Sequence, residues 1–335
     1  MASLPTRPFG TTGLDITTVG FGAWAAGGGG WSYGWGPTDD DEAVASMRRA
    51  VELGINWIDT AAVYGHGHSE ELVCRLLREL PAADRPLVFT KGGFVWDPAN
   101  PMGPNKSSLE PASIRRECEA SLRRLGVERI DLYQFHTQDG AGVPVEDSWA
   151  EMGRLIEEGK VRFGGVSNFT VASLERCEKL HHVASLQPPL SMIRRPAAGD
   201  VIPWCHAHGT GVIVYSPMQT GILTDSFSRE RIARMAEDDW RRRGDNFKEP
   251  ALSRNLALRD ALVPIAKRHG TSVASIAIAW TLAWPGVTAA IVGARTPAQV
   301  EGWVDAGKVK LTGGDLDEIA AAIRATGAGT GPERP

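Results

Sequence analysis

At 335 residues, 42% of them hydrophobic and 23% charged, with a formal net charge of −4, the chain has the composition of a globular protein able to bury a large core. No apolar run reaches the ~20 residues of a membrane-spanning helix. The first dozen residues lack the basic-then-apolar pattern of a secretory leader, so a cytoplasmic location is expected. The acidic balance gives no general reason to hold nucleic acid, and the scattered Cys74, Cys118, Cys177 and Cys205 form no CxxC pair that would suggest a zinc cage or a disulfide framework.

In chain order, residues 7–9, the turn 10–13 and residues 14–18 read as a β-hairpin. A first strand at 19–23 leads into a Gly- and Trp-rich loop, 26–36, which holds neither GxxxxGK[ST] nor a strand-to-helix GxGxxG and so reads as a rim loop rather than a phosphate cradle. A helix at 41–53 precedes a strand at 55–59, and a further strand follows at 87–91. Next come helix 111–125, strand 130–136, helix 148–158, strand 161–167 and helix 171–179, then strands at 184–187, 212–216 and 288–293. Gly54, Gly126 and Gly159 stand just past helices, where the left-handed C′ conformation is least costly for glycine. Between the last strands, residues 223–252 form a long irregular stretch of the kind that usually serves function. Short β-branched runs alternating with helical stretches predict an α/β protein, a (β/α)8 TIM barrel with the N-terminal β-hairpin plugging one end. One domain is expected over residues 1–325, with 326–335 as a disordered tail.

In such barrels the C-terminal strand ends form the active face. Asp59 closes the second strand, Lys91 the third and His136 the fourth, and Tyr64 lies in the loop after Asp59. Singly, each has a plain structural reading, the Asp as a helix cap and the His as a hydrogen-bonded packing residue. Together they are complementary. A phenol, with a reference pKa of about 10, needs a neighbouring cation to become a useful acid, which Lys91 supplies. The buried ammonium in turn needs a carboxylate, which is Asp59, and His136 is suited to orient a substrate oxygen and share the proton relay. The set suits proton delivery to the alkoxide formed when hydride reaches a carbonyl carbon.

No side chain here carries hydride, so a nicotinamide cofactor is required. Tyr215 is placed to stack on its ring, and Ser167, Asn168 and Gln187 to bond its carboxamide, although Ser167-Asn168 also reads as a simple helix cap. The turn Gly293-Ala294-Arg295-Thr296 opens a helix at Pro297, a sound phosphate site, and its lack of an acidic residue favours NADPH/NADP+. His66-Gly67-His68 raises a metal-dependent barrel hydrolase as a rival reading. The later strands end in Ser167, Gln187, Ser216 and Gly293, which do not complete a metal site, so no metal is expected. Arg241-Arg242-Arg243 reads as a solvated or phosphate-facing loop.

The motifs Ile58-Asp59-Thr60-Ala61 with Tyr64-Gly65 and Ser69-Glu70, Ser121-Leu122-Arg123-Arg124-Leu125 running on to Ile130-Asp131-Leu132-Tyr133-Gln134-Phe135-His136, Gly165-Val166-Ser167-Asn168-Phe169, Tyr215-Ser216-Pro217, and Ile291-Val292-Gly293-Ala294-Arg295 stand in one order. In these the chain, from about Arg7 to Ile323, closely resembles the aldo-keto reductase superfamily, in particular the branch that also contains the potassium-channel β-subunits. The resemblance implies Tyr64 as proton donor, Lys91 and Asp59 as the pair that tunes it, and His136 as the fourth member. It also implies cofactor contacts from Gly22, Ala23, Trp24, Asp59, Ser167, Asn168, Gln187, Tyr215, Ser216, Pro217, Met218, Gly221, Leu223, Gly293, Arg295, Thr296 and Gln299. Where relatives usually carry Glu then Asn after that Gln, this chain has Gly302 and Trp303, a departure at the adenine end.

The implied activity is NADPH-dependent reduction of aldehydes or ketones, with a small carbonyl compound as partner. The alternative is a nicotinamide-binding sensor or auxiliary subunit that keeps the same residues with little turnover. Loops 24–35, 94–108 and 223–248 decide the substrate, and their tryptophans hint at aromatic or apolar carbonyl compounds. The oligomeric state is left open.

Overall fold

The computed structural model describes residues 3–138, 140 and 142–335. Eight parallel strands close into a barrel: β1 (Val19–Gly22), β2 (Trp57–Asp59), β3 (Leu87–Gly92), β4 (Ile130–Phe135), β5 (Val161–Ser167), β6 (Ser185–Gln187), β7 (Gly211–Tyr215) and β8 (Ala289–Gly293). Closure is between β8 and β1, with Ala290 opposite Val19 and Gly293 opposite Gly22. Each strand lies within a residue or two of its expected place. The strand β2 starts later than the apolar run because Asn56 is spent on the hairpin, accepting from the Thr17 N–H (2.9 Å) and donating to the Asp15 carbonyl (2.9 Å).

Helices cover the outside: α1 (Asp40–Glu52), α2 (His68–Glu79), α3 (Pro111–Leu125), α4 (Val145–Glu157), α5 (Val171–Glu178), α6 (Val201–His208), α7 (Val273–Leu282) and α8 (Gly313–Thr326), with further helices, among them Ala251–Ala261, between α6 and α8. In α1 the Asp39 side chain caps the Glu42 N–H, and Ala43, Val44, Met47 and Ala50 turn inward at helical spacing. Gly54, Gly126 and Gly159 have positive φ, as their places past helix ends require. No helix among the described residues is long and apolar enough to cross a membrane.

The two barrel ends differ. The hairpin, Thr6–Pro8 with Asp15–Thr17, sits under the N-terminal end, and its Phe9 stacks on Phe89 at 5.6 Å, which lies 5.2 Å from Trp57. A side chain at Gly20 would collide with the Trp57 indole, so this glycine lets one large ring fill the barrel. Burying each such side chain stabilises by roughly 1.5–3 kcal/mol. That end is a packed core, and the opposite rim is left for polar groups.

Two sequence expectations change. The stretch 223–252 is not structureless but carries short helices that pin Phe227, Met235 and Phe247 into the core. The last ten residues are not a disordered tail: Ala328 is buried, the Thr330 carbonyl accepts from the Arg195 N–H (3.0 Å), and Arg324–Glu333 (2.8 Å) and Arg334–Asp317 (2.6 Å) form ion pairs. The cause is Arg195, only 2% exposed, whose guanidinium needs the carbonyls of Met192, Ala328 and Gly331. Gly329 and Gly331 permit the close approach.

Truncation after Thr326 removes the Ala328 and Gly331 carbonyls, which costs about 1–3 kcal/mol and lowers Tm by about 1–4 °C. An unchanged melting temperature would show that the segment adds nothing to the fold.

Candidate active site

At the C-terminal rim the strand register sets the geometry. Asp59 ends β2, and Lys91 lies on β3 beside Gln134 of β4. Backbone bonds from the Ala62 N–H to the Lys91 carbonyl and from the Tyr64 N–H to the Ala61 carbonyl, both 3.1 Å, turn the chain so that Tyr64 faces back toward the barrel. The turn continues through Gly65 and His66, both with positive φ. A side chain at Gly65 would strike the Gly27 carbonyl, so the glycine allows loop 24–27 to close over Tyr64.

Lys91 is fully buried. Its Nζ donates to Asp59 Oδ1 (2.6 Å) and the Thr60 carbonyl (2.8 Å), and reaches Tyr64 Oη at 3.4 Å. The other Asp59 oxygen accepts from Gln187 Nε2 at 2.9 Å. His136 follows β4, its ring edge-on to Tyr64 with centroids 5.6 Å apart. The Asp59, Tyr64, Lys91 and His136 side chains therefore meet in one small volume. Behind them Ser69 donates to the Ala23 carbonyl (2.9 Å) and accepts from Thr60 (2.8 Å), while Glu70 accepts from Thr90 and Arg124, each at 2.6 Å. These contacts explain the Ser69-Glu70 motif as a brace for β2 and β3.

Burial raises the Asp59 carboxyl pKa and lowers that of the Lys91 ammonium, each opposed by the other's charge. Burial and then the Lys91 charge hold His136 well below its ordinary value, so its ring is neutral. The Tyr64 phenol contradicts the sequence expectation. Burial, followed by the Asp59 charge, drives it well above its ordinary value instead of lowering it. The ammonium that was to acidify it lies closer to Asp59, which cancels most of its field.

A cavity of about 640 Å³ runs from this cluster across the rim. Its near end is formed by Asp59, Tyr64 and His136 with Trp24, Trp31, Tyr33 and Phe94. Gly22, Ser167, Asn168, Gln187, Tyr215, Ser216, Pro217, Met218 and Gly221 line its middle, and Gly293, Arg295 and Gln299 its far end. Ala23 and Leu223 are off the wall, fully buried in packing, and Thr296 is spent capping the helix Pro297–Glu301 through the Gln299 N–H. Among the middle residues, Tyr215 Oη donates to Asn168 Oδ1 (2.9 Å) and Asn168 Nδ2 to the His136 carbonyl (3.0 Å). The Gln187 NH2 group is committed to Asp59, which leaves its amide oxygen as the end that can accept from a ligand.

Sequence reasoning missed part of this wall. The excursion after β7 brings Arg231 to it beside Arg241, and Gly302 and Trp303, the departure already visible in the sequence, complete the far end. Arg241 is held by both oxygens of Asp239 (3.0 and 2.6 Å) and lies 4.4 Å over the Trp35 ring, while Trp240 stacks on Trp24 at 5.3 Å. Arg295 donates to the carbonyls of Trp35 and Pro37. A smaller hollow of about 270 Å³ adjoins, lined by Arg231, Arg234, Arg241 and Arg295 with Asp239. The run Arg241–Arg243 was the available signal, but only its first member turns inward; Arg242 and Arg243 donate to the Met235 and Ser32 carbonyls. His66 and His68 diverge to Asn105 (3.3 Å) and Asp40 (2.8 Å), and no group of three or more metal-ligating side chains forms among the described residues.

The buried pair predicts a double-mutant result. Asp59→Ala alone leaves the Lys91 charge uncompensated and costs roughly 3–5 kcal/mol in a urea melt, whereas Asp59→Leu with Lys91→Met recovers most of that loss. Additive losses would refute the pairing.

Comparison with known proteins agrees with the geometry. A model of the Aldo/keto reductase family matches residues 18–324. The chain is 33% identical over 294 residues to aldo-keto reductase YhdN of Bacillus subtilis (strain 168), covering 87% of this chain and 85% of that one. It is 31% identical over 330 residues to the NADH-specific methylglyoxal reductase of Escherichia coli (strain K12), covering 94% and 98%. The glycerol dehydrogenase AKR11B4 from Gluconobacter oxydans superposes with a TM-score of 0.85 at 35% identity, over 99% of this chain and 98% of that one. The chain belongs to the aldo/keto reductase family.

Proposed function

We propose that this protein is an NADPH-dependent oxidoreductase that reduces aldehydes or ketones to alcohols, with Tyr64 as the proton donor. The observation that carries this is the Lys91 ammonium set between Asp59 Oδ1 (2.6 Å) and Tyr64 Oη (3.4 Å) at one end of a long cavity. When bound, the reduced nicotinamide supplies the hydride.

The cavity wall suits such a dinucleotide. A Cβ at Gly22 would crowd Ile291, so its bare backbone keeps the middle of the cavity open. The Tyr215 ring, tied to Asn168, offers a flat surface there, and Ser167 is fixed by donating to the Gln187 carbonyl at 2.8 Å. Toward the far end Arg231, Arg241 and Arg295 gather positive charge against Asp225 and Asp239, which suits phosphates and favours the 2′-phosphorylated cofactor. Gly302 and Trp303 stand where relatives carry Glu and Asn, so the adenine meets an indole and bare backbone rather than a carboxylate and an amide.

An alkoxide is a stronger base than a phenolate, so a phenol of raised pKa still gives up its proton to it. The Lys91 ammonium, already within 3.4 Å, stabilises the phenolate that remains. Neutral His136 can donate a hydrogen bond to the substrate oxygen without competing for that proton.

The sign of the pH dependence follows. Carbonyl reduction uses the protonated phenol and stays flat up to about pH 10, the ordinary phenol value; alcohol oxidation uses the phenolate and climbs throughout that range. Tyr64→Phe lowers kcat by about 10²–10⁴ while leaving the NADPH Kd unchanged, and wild type favours NADPH over NADH about tenfold or more in kcat/KM. Full activity in Tyr64→Phe would overturn the proton-donor role, and equal use of both cofactors would overturn the NADPH assignment.

A further inference from the structure

The near end of the cavity is an aromatic box with one carboxamide in it. Trp24, Trp31, Tyr33 and Phe94 supply the walls, and Asn105 shares the lining with them. Asn105 comes from the segment between β3 and α3, where Phe94–Val95 pairs antiparallel with Lys106–Ser107. Because it directly precedes the second of these short strands, its backbone position is set by their register.

Its side chain is set by His66. That imidazole lies flat on Trp96, with centroids 4.8 Å apart and planes 10° from parallel, and edge-on to Trp31 at 5.9 Å. It reaches this place through a left-handed backbone, φ 54°, two residues after Tyr64. Burial lowers its pKa, so near neutral pH it is uncharged and its Nε2–H donates to Asn105 Oδ1 at 3.3 Å. The amide oxygen is thereby occupied, and the NH2 group is the end that remains for a ligand. A donor among aromatic rings is lost to a wholly apolar ligand that displaces its water, and regained by a ligand that brings an oxygen to it.

We propose that Asn105 is a substrate-contact residue that selects carbonyl compounds bearing a second oxygen, hydroxyl or oxo, on the carbon next to the reacting one, with an aromatic or alkyl remainder against Trp24, Trp31 and Phe94. Tyr64 and His136 take the reacting oxygen and Asn105 takes its neighbour. The assignment rests on the reading of Tyr64 and His136 as the reacting end.

The test compares 2-hydroxyacetophenone with acetophenone, which differ only in that neighbouring hydroxyl. With NADP+ present, tryptophan-fluorescence titration gives wild type a Kd for the hydroxyketone at least about tenfold lower, and Asn105→Ala brings the ratio close to one. Steady-state KM values for the two ketones with NADPH show the same collapse of the ratio, and an unchanged NADPH Kd confirms that the variant is folded. An Asn105→Ala protein that keeps the wild-type preference, or a wild type with none, would overturn the assignment. Failure of the reductase reading would look different: both ketones would bind with the expected ratio and neither would oxidise NADPH.

Discussion

The Lys91–Asp59 ion pair is the contact around which the rim is arranged. Both groups are almost completely withdrawn from water, and a charge buried in that way persists only with a partner and saturated hydrogen bonding. Lys91 meets this with Asp59 Oδ1, the Thr60 carbonyl and Tyr64 Oη, and Asp59 by adding Gln187 from the far side of the barrel. Three strand ends and one loop are therefore committed to a single charge arrangement. A parallel barrel supplies it naturally, because its register brings the C-terminal ends of β2, β3 and β6 to the same rim.

The same constraint explains the asymmetry of the molecule. The hairpin and the Phe9, Phe89 and Trp57 rings fill the N-terminal end with apolar volume, so the polar groups and the cavity gather at the other. Over the rim, the loop after β1 and the excursion after β7 lock together. Trp240 stacks on Trp24, Arg241 covers the Trp35 ring, and Asp238 accepts from the Gly30 N–H at 3.1 Å. The cavity is therefore aromatic at the Tyr64 end and lined by arginines at its far end.

Much of this was legible in the sequence. Strand and helix periods gave the barrel, and strand ends in a parallel barrel have only one place to go, which is why Asp59, Lys91 and His136 could be put together before any coordinate was known. The phenol's acidity was misjudged because it depends on burial and on how near Lys91 lies to Asp59, neither of which spacing encodes. Arg231 carries no signal in the sequence, and Arg241 shows only as one of three arginines in a solvated or phosphate-facing loop, because residues 223–252 carry no regular period. Residues 326–335 read as a tail from their terminal position, whereas their glycines let backbone pass close to a buried Arg195. Ala23, Leu223 and Thr296 came with the resemblance; the Ala23 and Leu223 side chains are buried in packing and the Thr296 hydroxyl caps a helix.

Burial and Asp59 raise the pKa of the Tyr64 phenol, and the Lys91 ammonium at 3.4 Å opposes them. The chain has four tyrosines, so ¹³Cζ-tyrosine NMR, with the Tyr64 resonance assigned by its loss in Tyr64→Phe, follows this group alone through a pH titration. Tyr64 is expected to stay protonated beyond its ordinary value of 10.0, and Lys91→Met to move its titration higher still. A phenolate already present at neutral pH, or a titration indifferent to Lys91→Met, would contradict it.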